Sequence, residues 1–557
     1  MRRIFSRKPS KSISALTGSI RTTKMYPESL FEKAAQLLFP RIGSNMKPSI
    51  TVEDDAARVE RLLEACPVGG LVLFNGTLDQ TPDTLARLQS TSRFPLLIAT
   101  DMERGVGQQL KGATVFPHAF SFDALGNDPS EALTRSTGIA AREALACGIH
   151  ISFSPVADVH SNPDNPIISI RAYGSDVVSV SDRVRTYVRV CQEKGLLSTA
   201  KHFPGHGDTS TDSHDQIPVV EKSLGSLREL ELLPFQAAVD QGVDLVMTAH
   251  VAYPALDPSG DVATQSKPIL TQLLRNEIGF EGVIVTDSLL MEGVGSVEED
   301  PAWAANMLMA GVDILLDVAY PEMTVQNLVQ AVKKGLLTEK RIDESVARIW
   351  ALKTRLLDRY GENFFLHPSN AGKRSLVGSA DHERVAYEIA RDAVRVLKGS
   401  TEAISGSREE LDRDGLLVLL VRPYVTYSDP TAASFEEFVR TKFDNVEFEE
   451  ILPDAPQKHL AELVDHADRF GSVLIVAVVK PAAWHRFDLL PDQKQFIRAI
   501  SRQCPVILAA LGSPRVLDDF PDVKLGICTY SDVAVSSRAL LSYVESLFPT
   551  ILETPAR

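Results

Sequence analysis

Between residues 26 and 358, short apolar runs alternate with longer amphipathic stretches. The runs lie at 70–74, 95–100, 151–156, 197–200, 245–249, 283–286 and 313–316, with a further one near 37–39. This rhythm constrains the fold more than any other feature of the chain. A strand, a helix and a second strand in sequence give a parallel pair, because the helix carries the chain back to the same end of the sheet. Repeated eight times within roughly 330 residues, the unit predicts a closed (β/α)8 TIM-type barrel with insertions.

Chemistry-bearing residues cluster at one position in this rhythm. Asp101, Asp158, Lys201, His202, His250 and Asp287 each come directly after an apolar run or within its last turn. One such residue is the ordinary cap of the next helix. Five loaded strand ends point to the single face on which all C-terminal strand ends of a barrel open, where its active site forms.

The densest of these strand ends reads Lys201-His202-Phe203-Pro204-Gly205-His206-Gly207-Asp208-Thr209-Ser210-Thr211-Asp212-Ser213-His214. Glycine and proline force it out of regular structure, and it carries a lysine, three histidines and two aspartates. It resembles the KHFPGHGDTxxDSH signature of family 3 glycoside hydrolases, in the β-N-acetylglucosaminidase branch. The resemblance implies a retaining glycosidase, in which a carboxylate attacks the anomeric carbon to form a glycosyl-enzyme. That nucleophile would be Asp287, in Thr286-Asp287-Ser288-Leu289-Leu290-Met291, matching an (S/T)-D-x-x-x-M context. Relatives often place a second aspartate where Ser288 stands. In this branch an Asp-x-His pair replaces the second carboxylic acid, which makes His214 the acid/base and Asp212 its orienting partner. An imidazole suits that work because its unperturbed pKa of about 6.5 lies near working pH. Once the leaving group has gone, a neutral histidine also leaves room for phosphate beside water as acceptor, since like-charge repulsion is absent.

The resemblance further implies that Asp101, Arg171, Lys201 and His202 hold hydroxyls of the non-reducing sugar. The chain departs from the family after Asp101: Gln109 stands where many relatives carry a second sugar-contacting arginine, and Arg104 is the nearby candidate to compensate. No cofactor and no metal are expected. A metal-dependent barrel hydrolase is the sharpest rival, with His202, His206, Asp208, Asp212 and His214 as possible ligands. The chain has no H-x-H, however, and Pro204 and Gly205 keep His202 and His206 off a common helix face. A β-glucosidase of the same family is the other alternative, opposed by the Asp212-Ser213-His214 triplet. The expected substrate is a terminal non-reducing β-N-acetylglucosamine on muropeptides or short amino-sugar oligomers.

Composition limits the partners. The net charge of −15, from 58 basic and 73 acidic side chains, argues against nucleic acid and anionic lipid. No run is long and apolar enough for a membrane span. Five cysteines lie far apart without a C-x-x-C pair, which suggests reduced thiols and a cytoplasmic setting. Nothing in the sequence bears on oligomeric state. Residues 1–24, basic and serine-rich, are expected to be a disordered extension, followed by the barrel over 25–360. A linker with a helix over 381–397 is expected within 361–411, and a smaller α/β sandwich domain over 412–557. The runs at 415–421, 473–479 and 505–511 read as strands of that domain. No loaded strand end is expected there, Gly512-Ser513-Pro514 reading as a turn.

Overall fold

The computed structural model describes residues 26–126, 129–209, 217–291, 300–361, 364–365, 373–404, 408–425, 431–481 and 487–548. Among the described residues, eight parallel strands form the first sheet. β1 is made of two pieces, Leu38–Phe39 and Arg41–Ile42, interrupted at Pro40, which has no N–H to give. β2 to β8 are Gly70–Leu73, Leu97–Thr100, Ile151–Ser152, Leu197–Phe203, Leu245–Thr248, Val283–Val285 and Leu315–Leu316. Each pairs in parallel with its predecessor from β2 through β7. β1 then joins the two ends. It accepts the N–H of Val72 at Pro40 and of Phe74 at Ile42, 3.0 Å each, and on its other side Leu315 and Asp317 bond to Leu37 and Phe39 at 2.8 Å. A bridge between Val285 and Ile314 ties β7 to β8. The ring is closed, as the alternating pattern predicts. Its strands are buried along their length, which explains why they read as continuous apolar runs rather than alternating ones.

The N-terminal rim of the barrel is covered by the helix Glu339–Tyr360. Thr338 caps it, accepting the Arg341 N–H at 3.2 Å. Ile342, Val346, Ile349, Leu352 and Leu356 recur at helical spacing and are all buried, each contributing roughly 1.5–3 kcal/mol of transfer free energy. The polar side of the same helix grips carboxylates set just before two strands. Asp313 accepts from Arg348 at 2.9 Å, Arg341 at 3.3 Å and Ser345 at 2.6 Å, and also from Arg275 at 2.6 Å. Asp244 accepts from Arg355 and from the Ser198 N–H. Lys353, fully enclosed, donates to Gln36 Oε1 at 2.6 Å.

The second sheet has six strands among the described residues. They are β9 (Arg395–Gly399), β10 (Leu416–Val421), β11 (Val446–Ile451), β12 (Ser472–Val479), β13 (Val506–Gly512) and β14 (Leu525–Cys528). Their spatial order is β9-β14-β13-β12-β10-β11, with only β9 antiparallel. Along β10, Leu416, Val418 and Leu420 pack into one apolar cluster and Leu417, Leu419 and Val421 into another, so both faces are covered. The sequence reading located β10, β12 and β13 and missed the other three. The helix expected over 381–397 ends at Asp392, and the chain continues directly into β9. β9 and β11 are edge strands with partly exposed side chains, and they lack the apolar runs of the buried centre.

Candidate active site

Asp101, Asp158, Lys201, His202, His250 and Asp287 all emerge at the C-terminal rim of the barrel. The loop after β5 reaches that rim through two cis peptides, Lys201–His202 and Phe203–Pro204. It packs so closely on the loop after β4 that a Cβ at Gly207 would lie 1.7 Å from the Val159 carbonyl oxygen. Only glycine permits this approach.

The structure brings Asp101, Arg171 and Lys201 into one charged network. Lys201, 2% exposed, places Nζ 2.7 Å from both Asp101 Oδ1 and Glu103 Oε1. Glu103 also takes a two-pronged grip from Arg171, Nε at 3.0 Å and Nη2 at 2.8 Å. Burial pushes the Glu103 carboxyl up, but Arg171 and Lys201 more than offset it and hold it well below the usual range. Burial pulls the Lys201 ammonium down, and Asp101 and Glu103 overcome this, so it stays charged. The network thus sets fixed cations and anions at the rim, each held by its partners.

His202 links this network to Asp287. Its Nδ1 lies 2.7 Å from Asp158 Oδ2 and its Nε2 3.4 Å from Arg171 Nη2 and 4.0 Å from Asp287 Oδ2. Asp158 has no exposed surface and also accepts the backbone N–H groups of His202 and His206 at 3.2 and 2.6 Å. Asp287 accepts the Ser288 N–H at 2.8 Å. Burial pushes the Asp287 carboxyl up. His202, His250, the Ser288 N–H and Lys201 more than offset this, and the group is ionised below its ordinary range. An attacking carboxylate must be in that state. Ser288, where relatives often have aspartate, donates Oγ–H to Asp317 Oδ2 at 2.6 Å, and Arg41 holds Asp317 from β1. His250 donates Nε2–H to the Ser288 carbonyl at 3.2 Å and meets Thr264 Oγ1 at 2.8 Å through Nδ1.

Asp287, Asp101 and Arg171 keep 23%, 31% and 21% of their side-chain surface open, so they line the mouth, with Glu103 and Asp158 behind them. Asp212 and His214 lie outside the described residues. Two members were not singled out from sequence. Glu103 was visible only as part of Asp101-Met102-Glu103, and Asp158 only as a residue at a strand end. Gln109 is buried and accepts from Asn45 Nδ2 at 2.8 Å, so it adds no positive charge here. The Arg104 charge is felt by His118 and Asp532, at the contact with the second domain, and lowers both of their pKa values. Among the described residues, no three His, Cys, Asp or Glu side chains are grouped to hold a metal ion.

Residues 29–352 match the model of the glycosyl hydrolase family 3 N-terminal domain. The chain belongs to glycoside hydrolase family 3. Beta-hexosaminidase A of Pseudoalteromonas piscicida is 32% identical over 373 residues, 61% of this chain and 61% of its own length. The beta-N-acetylglucosaminidase/beta-glucosidase of Cellulomonas fimi is 28% identical over 531 residues, 91% of each chain. Among solved structures, a family 3 beta-N-acetylglucosaminidase from Paenibacillus sp. superposes with a TM-score of 0.79 at 27% identity, covering 94% of this chain and 98% of that one. The family similarity therefore takes in both sheets, beyond the barrel alone.

Proposed function

We propose that this chain is a retaining glycosidase that releases terminal, non-reducing β-N-acetylglucosamine. The observation that carries the reading is an ionised, partly open Asp287 on the same rim as the Asp101–Lys201–Glu103–Arg171 network. Charged hydrogen bonds from that network to sugar hydroxyls would fix the ring with its anomeric carbon toward Asp287. Attack forms the bond from Asp287 to the anomeric carbon as the bond to the leaving oxygen breaks. That oxygen takes the proton from His214, oriented by Asp212. Water then attacks the anomeric carbon, giving its proton to the imidazole as the bond to Asp287 breaks and the carboxylate is restored; phosphate attacking in its place breaks the same bond and leaves as the sugar 1-phosphate.

The same proposal sets muropeptides or short amino-sugar oligomers as substrates, met in the cytoplasm. The five cysteines are free thiols, four of them buried, which supports a reducing compartment. No helix among the described residues is long and apolar enough to cross a membrane.

A panel of nitrophenyl glycosides tests the sugar. β-N-acetylglucosaminides should turn over far faster than β-glucosides, and the reverse order would move the reading to a β-glucosidase. A 2-fluoro sugar that traps the glycosyl-enzyme should label Asp287; a label on another carboxylate would overturn the mechanism. Chelators should leave the rate unchanged, whereas loss of activity would revive the metal-dependent alternative.

A further inference from the structure

The second domain meets the barrel through a buried strand end that the sequence reading did not anticipate. After β14 the chain turns at Tyr530, whose φ of 54° is in the left-handed region. It delivers Ser531 and Asp532, 0% and 3% exposed, against the barrel. The His118 backbone N–H donates to Ser531 Oγ at 3.2 Å, and His118 Nδ1 lies 2.8 Å from the same oxygen. Asp532 binds Lys480, from the end of β12, through Oδ2. Its Oδ1 is buried and has no hydrogen-bond partner among the described residues, 3.9 Å from His118 Nδ1. Tyr530 stacks on Phe120 with centroids 5.5 Å apart.

The barrel segment held in this way belongs to the sugar-binding network. The Phe116 N–H bonds to the Arg104 carbonyl at 2.8 Å and the Gly107 N–H to the Thr114 carbonyl at 3.0 Å, so 101–107 and 114–118 are tied together as one unit. That unit carries Asp101 and Glu103. Phe120 also sets its ring against His160, 5.7 Å away, in the loop that follows Asp158. Burial pushes His118 down to about 3, so it is neutral, and the Asp532 charge is answered by Lys480 and Arg104. A buried carboxylate with one unpartnered oxygen costs stability compared with an apolar contact of the same shape. Its presence fits a role in placement better than a role in adhesion.

We infer that Ser531 and Asp532 of the second domain are positioning residues for the sugar-binding network, acting on Asp101 and Glu103 through His118 and Arg104. The inference rests on the proposal that the network these two carboxylates belong to holds the sugar. The test compares Asp532→Asn, Ser531→Ala and Ser531→Thr with Arg515→Ala, which breaks an exposed ion pair to Asp164 elsewhere on the same contact. Steady-state kinetics are measured on whichever nitrophenyl glycoside the wild type cleaves, together with thermal unfolding. Because small misplacements of binding groups are costly in rate, Asp532→Asn and Ser531→Ala should each lower kcat/KM by roughly 10-fold or more, chiefly through KM. Ser531→Thr should recover most of the loss, and Arg515→Ala should leave both constants unchanged. Unchanged KM in folded Asp532→Asn and Ser531→Ala would overturn the inference, as would an equal rise in Arg515→Ala. If Asp532→Asn does not fold, the two Ser531 variants decide alone. Failure of the sugar assignment would appear separately, as a change in which glycoside the wild type prefers.

Discussion

At the N-terminal rim of the barrel, Asp313 has no exposed surface and is met by three arginines and a serine hydroxyl. At the C-terminal rim, Asp287 is met directly by one backbone N–H among the described residues, with His202 4.0 Å away and nearly a quarter of its side chain open. Both carboxylates are ionised below their ordinary range, yet for different ends. Every lone pair of Asp313 is committed, which closes the barrel and holds the covering helix in register. Asp287 keeps lone pairs uncommitted, and its charge is held by neighbours that do not occlude it. Ionisation alone therefore does not mark a functional carboxylate; the role proposed for Asp287 rests on ionisation together with an open coordination shell.

The largest effect should come from Asp287→Ala. Activity should fall on the order of 10⁴-fold or more, the scale seen when a covalent nucleophile is removed, while thermal unfolding stays close to wild type. A variant that unfolds instead would place Asp287 with Asp313 as a structural anion. Asp313→Ala should do the opposite. It strands Arg275, Arg341 and Arg348 together and should cost about 3–5 kcal/mol of stability, read by denaturant unfolding, with kcat per folded molecule unchanged. Asp158→Asn sits between the two. It removes the anion behind His202 and should lower kcat/KM by about 10–100-fold, the usual scale for losing a carboxylate behind a functional imidazole. A loss confined to stability would assign Asp158 to scaffolding.

The smallest effect concerns Lys353, which burial drags down to about 7 with no carboxylate bound to it among the described residues. Between pH 7 and 10 the unfolded chain holds a proton on this amine that the folded chain does not, so this amine's own contribution to stability should rise with pH across that window. Lys353→Met should flatten that rise and stabilise the protein at pH 7 by roughly 1–3 kcal/mol, less whatever the unpaired Gln36 oxygen costs. Melting temperatures of both proteins from pH 7 to 10 check the slope. Parallel curves would mean that the amine stays charged in the folded state.

Much of this contrast was legible in the chain. Buried parallel strands bear continuous apolar runs, so all eight barrel strands stood out, and the residue after each run stood at the active rim. Edge strands are half exposed, and Val446-Glu447-Phe448-Glu449-Glu450-Ile451 shows only alternation; Leu525–Cys528 is buried between two strands but is short and holds a glycine, so neither stood out. Asp101, Arg171, Lys201, His202 and Asp287 were found as types at positions, and the structure gathers them. What the sequence cannot carry is which loops touch. Glu103 meets Arg171 across 68 residues, and Asp158 meets His202 across 44. Ser531 reaches His118 across 413, a contact set by domain packing rather than by any local pattern.

The covering helix has a practical consequence for anyone dissecting this protein. The match to the family's N-terminal domain model stops at residue 352, but the helix runs on to Tyr360. Its last turns supply Lys353 to Gln36 and Arg355 to Asp244, and the Tyr360 hydroxyl donates to the Lys194 carbonyl at 2.6 Å. A fragment excised at 352 would leave Asp244 buried without its guanidinium, whereas one carried past Gly361 retains every one of these ties. The end of the match to the N-terminal domain model and the end of the helix that closes the barrel differ here by about two turns of helix.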